Sequence, residues 1–225
     1  MSSVNSRKKT KVKTAKGRKI SSTRWLQRHL NDPYVAKAQA DQYRSRAAYK
    51  LLEIDNKYKL LKKDSVVMDL GAAPGSWSQI VIEKAKKVIA VDLLSIKPLQ
   101  GVDIIEGDFT SQAVIEQIEL LLGDKKVDLI LSDMSPNVSG NRNLDHLRIM
   151  HLADMVIDFA KTHINSGGHI VIKIFQGPDL EPFVKKVQED FSTKVKYFKP
   201  DSSRKESSET YLVISDIKIK YMVEK

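Results

Sequence analysis

A chain of 225 residues with 41% hydrophobic content and a formal net charge of +10 has enough apolar material for one sizeable core and a basic excess suited to a polyanionic partner. No run nears the roughly 18 apolar residues of a membrane helix, and no apolar stretch follows the basic N-terminus as a secretory signal requires, so a cytoplasmic protein with no membrane partner is expected. The absence of cysteine excludes disulfides, thiolate metal sites and cysteine nucleophiles, and the five histidines lack ligand spacing, so no metal is expected.

The charge sits at the start of the chain. Residues 1 to 31 hold Arg7, Lys8, Lys9, Lys11, Lys13, Lys16, Arg18, Lys19, Arg24 and Arg28 and no acid, and the bases that remain equal the 28 acids. Residues 1–20 are therefore expected as a disordered basic tail that meets the phosphates of a polyanion by counterion release. The tail is Lys-rich without an apolar stripe, unlike a mitochondrial transit peptide. From Ser21 the composition changes: Trp25, Leu26 and Leu30 fall at helical spacing before a proline break, then Ala47, Ala48, Leu51, Leu52 and Ile54 alternate with Arg44, Arg46 and Lys50. Apolar runs and polar helical stretches then take turns through SVVMDLG, SQIVIEKAKK, VIAVDLL, DIIEGDF, AVIEQIELLLG, VDLILSDM, LRIMHLADMVIDFAKTHI and HIVIKIF. That alternation predicts an α/β fold, a mostly parallel sheet with helices on both faces. KVKYFKP and ETYLVISDIKIK, separated by the polar turn DSSRKESS, read as a C-terminal antiparallel pair.

The first strand runs into GAAPGSW, where small residues let backbone approach a ligand at the carboxyl edge of the sheet. The turn lacks both the G-x-G-x-x-G dinucleotide spacing and the Gly-Lys-Ser/Thr of a phosphate loop. Three strands end in Asp92, Asp108 and Asp133. Taken singly, each aspartate is as well explained as a helix cap. Together they would repel a polyphosphate and suit a nucleoside whose ribose needs acceptors and whose charge is positive, which favours S-adenosylmethionine. SDMSPN lacks the double proline and the aromatic of amino-methyltransferase loops, and the absence of cysteine rules out covalent attack on a pyrimidine carbon, leaving a hydroxyl as acceptor. Lys173, in the middle of the apolar strand GGHIVIKIFQG, would cost too much to dry without a partner or a purpose. Its alternative explanation is an aliphatic stem packed in the core with the amine reaching water.

STRWLQRHLNDPYV, RSRAAYKLLEID, MDLGAAPGSWSQ, AVDLL, GVDIIEGDF, LSDMSPNVSG, VIKIFQG and KPDSSRKESSETYLV occur in this order. Together they resemble the FtsJ family of ribosomal RNA ribose 2'-O-methyltransferases, from about Ile20 onward. The one departure is Ser76, where the family commonly has a second glycine. The resemblance implies a Rossmann-like methyltransferase domain over 21–225, with 21–60 a helical, RNA-facing part. It also implies a Lys50, Asp133, Lys173 and Glu209 catalytic set, and S-adenosylmethionine contacts on Gly75, Trp77, Asp92, Asp108 and Asp133. Lys173 is expected as proton acceptor. A lysine titrates near 10.4 in water and becomes a base only if burial and a neighbouring cation, here Lys50, lower that value; alternatively it stays charged and stabilises the alkoxide. The implied substrate is a uridine of large-subunit (23S) rRNA on the assembled 50S particle, with the tail, Arg44, Arg46, Lys62 and Lys63 touching RNA. Alternatives are a tRNA or mitochondrial rRNA substrate within the family, or a ribosome-assembly factor that keeps the fold without turnover.

Overall fold

The computed structural model describes residue 10 and residues 20–137, 139–204 and 206–219. The expected tail, apart from residues 10 and 20, lies outside them. Three helices come first: α1 (Ile20–Leu30), α2 (Pro33–Ala40) and α3 (Ala48–Tyr58). Then follow β1 (Val66–Leu70), α4 (Ser76–Val81), β2 (Lys87–Asp92), β3 (Val102–Glu106), α5 (Gln112–Leu122), β4 (Val127–Ser132), α6 (Arg142–His163), β5 (Ile164–Phe175), α7 (Leu180–Phe191), β6 (Val195–Phe198) and β7 (Glu209–Ile214).

The seven strands lie in the order β3-β2-β1-β4-β5-β7-β6. The first five are parallel and β6 and β7 form an antiparallel pair, as the sequence pattern predicts; β7 also runs antiparallel to β5. Strand period two divides the core between two faces. Met68, Ile89, Ile130, Ile172 and Leu212 pack against α5, α6 and α7. Val67, Val88, Leu129, Leu131, Val171, Tyr211 and Val213 pack against α3 and α4 on the other. After β3 the chain returns to the far side of β1, so β1 and β4 frame the switch point where open α/β sheets bind ligands.

Several boundaries differ from expectation, each for a local reason. Asp32 caps α2 by accepting from the Tyr34 N–H, and Pro33 stands at its first position, where proline initiates a helix instead of breaking one. α4 stops at Val81, short of EKAKK. α7, not among the expected elements, buries Leu180, Phe183, Val184, Val187 and Phe191 at helical spacing. α3 ends at Lys59 in a left-handed conformation (φ 54°), which turns the chain toward β1. Among the described residues no helix is long and apolar enough to cross a membrane.

Candidate active site

The parity that builds the core also gathers the polar residues. Lys173 follows Val171, Asp133 follows Leu131, Asp69 follows Val67, and Glu209 precedes Tyr211 by one step on the same face. All therefore point to the side covered by α3 and α4, at the carboxyl edge of the strands. Lys50, in the first turn of α3, meets them there.

Asp133 is the hub. Lys173 Nζ lies 3.1 Å from its Oδ1 and donates to its backbone carbonyl at 2.5 Å. Lys50 Nζ lies 3.7 Å from Oδ2 and 3.1 Å from Glu209 Oε1. The Tyr211 hydroxyl donates to Asp133 Oδ1 at 2.6 Å. Lys173 is 7% exposed and Asp133 18%, so two lysine side chains and two acidic side chains share one half-dry pocket. Burial pushes the Asp133 carboxyl up, but Lys173, Lys50 and the hydrogen bonds from Tyr211 and Lys173 outweigh it and hold the group below its ordinary range. The Tyr211 phenol is pushed well up by burial and by the charges of Asp133 and Glu209, so it keeps its proton and remains a donor. Tyr211 pairs across the ladder with Lys173 and packs on Trp77 at a 5.9 Å centroid distance. It was not among the residues singled out from the sequence; its position two residues after Glu209 was the available signal.

Next to this network is the strand-to-helix turn. Asp69 is buried, and its Oδ2 accepts from the Ser78 hydroxyl at 2.6 Å. Its Oδ1 has no partner among the described residues. Burial, assisted by Asp133 and Asp92, raises its carboxyl to about 7 against the Ser78 hydrogen bonds. The two glycines serve the protein itself. A Cβ at Gly71 (φ 74°) would lie 2.7 Å from the Met134 backbone, so this glycine lets the turns after β1 and β4 touch. A Cβ at Gly75 (φ 97°) would lie 2.9 Å from Arg44 Nη1. Arg44 donates to the carbonyls of Pro74, Lys97 and Pro98 at 3.0, 2.7 and 2.9 Å, clamping the glycine turn to the segment after β2.

A cavity of about 120 Å³ runs from Gly71 past Asp92 and Asp108 to walls of Phe109, Met134 and Leu152. It opens into an outer cleft of about 510 Å³ lined by Leu147, Arg148 and His151. Asp92 already accepts from Ala73 N and Leu94 N, one per oxygen, which leaves each oxygen a second lone pair. Asp108 holds Thr110 through Oδ1, and its Oδ2 has no partner among the described residues. Acceptors along one rim and apolar walls fit a nucleoside, and the unpartnered, buried Asp69 Oδ1 lies in the adjoining pocket with Gly71 and Asp133. The Trp77 indole donates to Ala47 O at 2.7 Å and is buried, so a cofactor contact at this residue falls to its backbone. Asp145, also unanticipated, shapes the segment beyond Asp133 by accepting from Ser139 N and Oγ and from Gly140 N.

The bases expected to face RNA do not share one surface. Arg44 is spent on the carbonyls just named. Arg46 is ion-paired with Asp32 and donates to Ser202 O. Lys62 and Lys63 precede β1 and line a cleft with Asp128 and His169 at the amino edge of the sheet, the end away from Asp133. Carbonyl and carboxylate partners supplied by other segments claim both Arg44 and Arg46. Among the described residues no group of three or more His, Asp or Glu side chains is placed to hold a metal ion.

Over residues 43–216 the chain matches the FtsJ-like methyltransferase family. A protein of Wolbachia sp. subsp. Brugia malayi (strain TRS), named Ribosomal RNA large subunit methyltransferase E, is 52% identical over 205 residues, covering 91% of this chain and 93% of its own. A protein of the same name from Rickettsia bellii (strain RML369-C) is 48% identical over 212 residues, covering 90% and 92%. A crystal structure from Plasmodium falciparum, described as a ribosomal RNA methyltransferase, is similar with a TM-score of 0.71 at 34% identity, over 79% of this chain and 100% of that one. A mostly parallel sheet whose switch point brings Lys50, Asp133, Lys173 and Glu209 together thus coincides with a match over most of the sequence, and the chain belongs to the FtsJ-like methyltransferase family.

Proposed function

We propose that this chain transfers a methyl group from S-adenosylmethionine to the ribose 2'-hydroxyl of a uridine in large-subunit ribosomal RNA, on the assembled particle in the cytoplasm. The observation that carries the reading is the network in which Lys50 and Lys173 both approach Asp133 while Glu209 holds Lys50. The names of the relatives support the substrate class.

S-adenosylmethionine supplies an electrophilic methyl group when bound. Asp92 would hold its ribose hydroxyls, Asp108 the outer nucleoside, and the Gly75–Trp77 backbone and Asp133 the remainder. A ribose hydroxyl is a weak nucleophile, so the chain must position the oxygen and receive its proton. As the neutral amine, Lys173 keeps its two N–H groups on Asp133, toward Oδ1 and the backbone carbonyl, and has its lone pair left for the hydroxyl. It accepts the hydroxyl proton as the oxygen–methyl bond forms and the methyl–sulfur bond breaks. Asp133 fixes Lys173 through charge-assisted contact, and Lys50, anchored by Glu209, adds the positive potential that favours a developing alkoxide.

Labelled S-adenosylmethionine, offered with intact large subunits, naked large-subunit rRNA or tRNA, tests the substrate. Label is expected on the intact subunits above all. Label on tRNA alone contradicts the substrate, and label on none of them favours an assembly factor.

A further inference from the structure

Asp32 serves two guanidinium groups at once. Its Oδ2 is ion-paired with Arg46 and lies 3.6 Å from Arg204 Nε, while its Oδ1 accepts from Tyr34 N at 3.0 Å. One carboxylate cannot neutralise two arginines, and the surplus charge is on Arg204. Arg46 is spent, because it also donates to Ser202 O. Arg204 touches Asp32 only through Nε, its Nη1 and Nη2 have no partner among the described residues, and its side chain is 33% exposed. A guanidinium edge with two free donors matches a phosphate bidentately. Beside it the Ser203 hydroxyl is 6% exposed and has no partner among the described residues, a second donor without an acceptor.

The position is adjacent to the chemistry. Arg46 lies in the turn that leads into α3, four residues before Lys50, and Arg204 leads into β7, which starts at Glu209. Burial and then the Arg204 charge lower the Arg46 guanidinium while Glu209 acts the other way, so all three groups feel one another. A purely structural strap between this loop and the N-terminal helices is already supplied by other residues. Glu53 accepts from Asp201 N at 2.6 Å and Ser202 N at 3.0 Å, and Arg46 holds Ser202 O. Arg204 is redundant for that task.

We propose that Arg204, seated on Asp32 beside Arg46, binds an RNA phosphate next to the ribose that is methylated. The proposal rests on reading the Asp133 site as a ribose methyltransferase. It is tested by measuring rRNA binding by the full chain across a salt series, with KM and kcat for methyl transfer and the thermal midpoint, for wild type, Arg204→Gln and Arg204→Lys. Removing one phosphate contact should lower the slope of log K against log salt by about one. Arg204→Gln should show that loss, with KM raised about tenfold and kcat changed much less. Arg204→Lys keeps the charge, so it should keep the slope and recover part of KM. A lowered thermal midpoint with slope and KM unchanged makes Arg204 a strap and overturns the proposal. Wild type that methylates while Arg204→Gln keeps its slope defeats this inference alone. Wild type that binds but transfers no methyl defeats the functional reading alone, because the slopes still decide the phosphate contact, and a wild type that binds no RNA overturns both.

Discussion

Asp133 and Asp69, on one face of neighbouring strands, are shifted in opposite directions. The depressed Asp133 carboxyl stabilises the fold above the ordinary carboxylate range, and that contribution is lost as pH falls through its folded value. Tyr211→Phe removes a hydrogen bond to a charged group, about 1.5–3 kcal/mol. The midpoint at pH 7 should drop by several degrees, at roughly 2–4 °C per kcal/mol for this chain length, and the acid limb of the stability curve should move to higher pH. An unmoved acid limb removes Tyr211 from the control of Asp133. The raised Asp69 carboxyl behaves the other way. Its neutral form stabilises the fold below the usual value near 3.9, and that contribution is lost as pH rises through about 7. Asp69→Asn should therefore raise the melting temperature at pH 8 by several degrees and leave it near wild type at pH 4; the same difference at both pH values would mean that Asp69 is not protonated in the fold. Motif resemblance pointed to Lys50, Asp133, Lys173 and Glu209, but Tyr211 and Asp69 read as ordinary strand residues because burial and pairing, not residue type, give them their roles.

The turn after β1 and the turn after β4 meet so closely that their contact forms one wall of the cleft. Gly71→Ala adds a methyl 2.7 Å from the Met134 backbone at a φ of 74°, which L residues seldom adopt. Calorimetric titration with S-adenosylmethionine should then show affinity reduced at least about tenfold, equivalent to about 1.4 kcal/mol, with the fold retained; unchanged affinity would show slack in the turn. At this scale the alternation of strand and helix was legible, as was the antiparallel end, because period-two and period-3.6 patterns differ over a few residues. Short α2 was hidden by its own initiating proline. The commitments of Arg46 were hidden because Asp32 lies 14 residues away and Ser202 lies 156 residues away.

Across the whole molecule, charge and catalysis occupy different places. The site network pairs its cations with acids, and the basic excess falls on the N-terminal residues. Removing residues 1 to 20 should flatten the salt dependence of RNA binding while leaving the sheet intact, and an unchanged slope would mean that the tail does not touch phosphate. The central claim concerns the group that receives the ribose proton. It is tested most directly by single-turnover methyl transfer to intact large subunits, comparing wild type with Lys173→Ala and scoring product as an alkali-resistant ribose linkage, since a 2'-O-methyl group blocks cleavage by the neighbouring hydroxyl. Wild type should form that linkage, and Lys173→Ala should be slowed about 100-fold or more with cofactor affinity nearly unchanged; a methylated base, or an unaltered rate without Lys173, would contradict it.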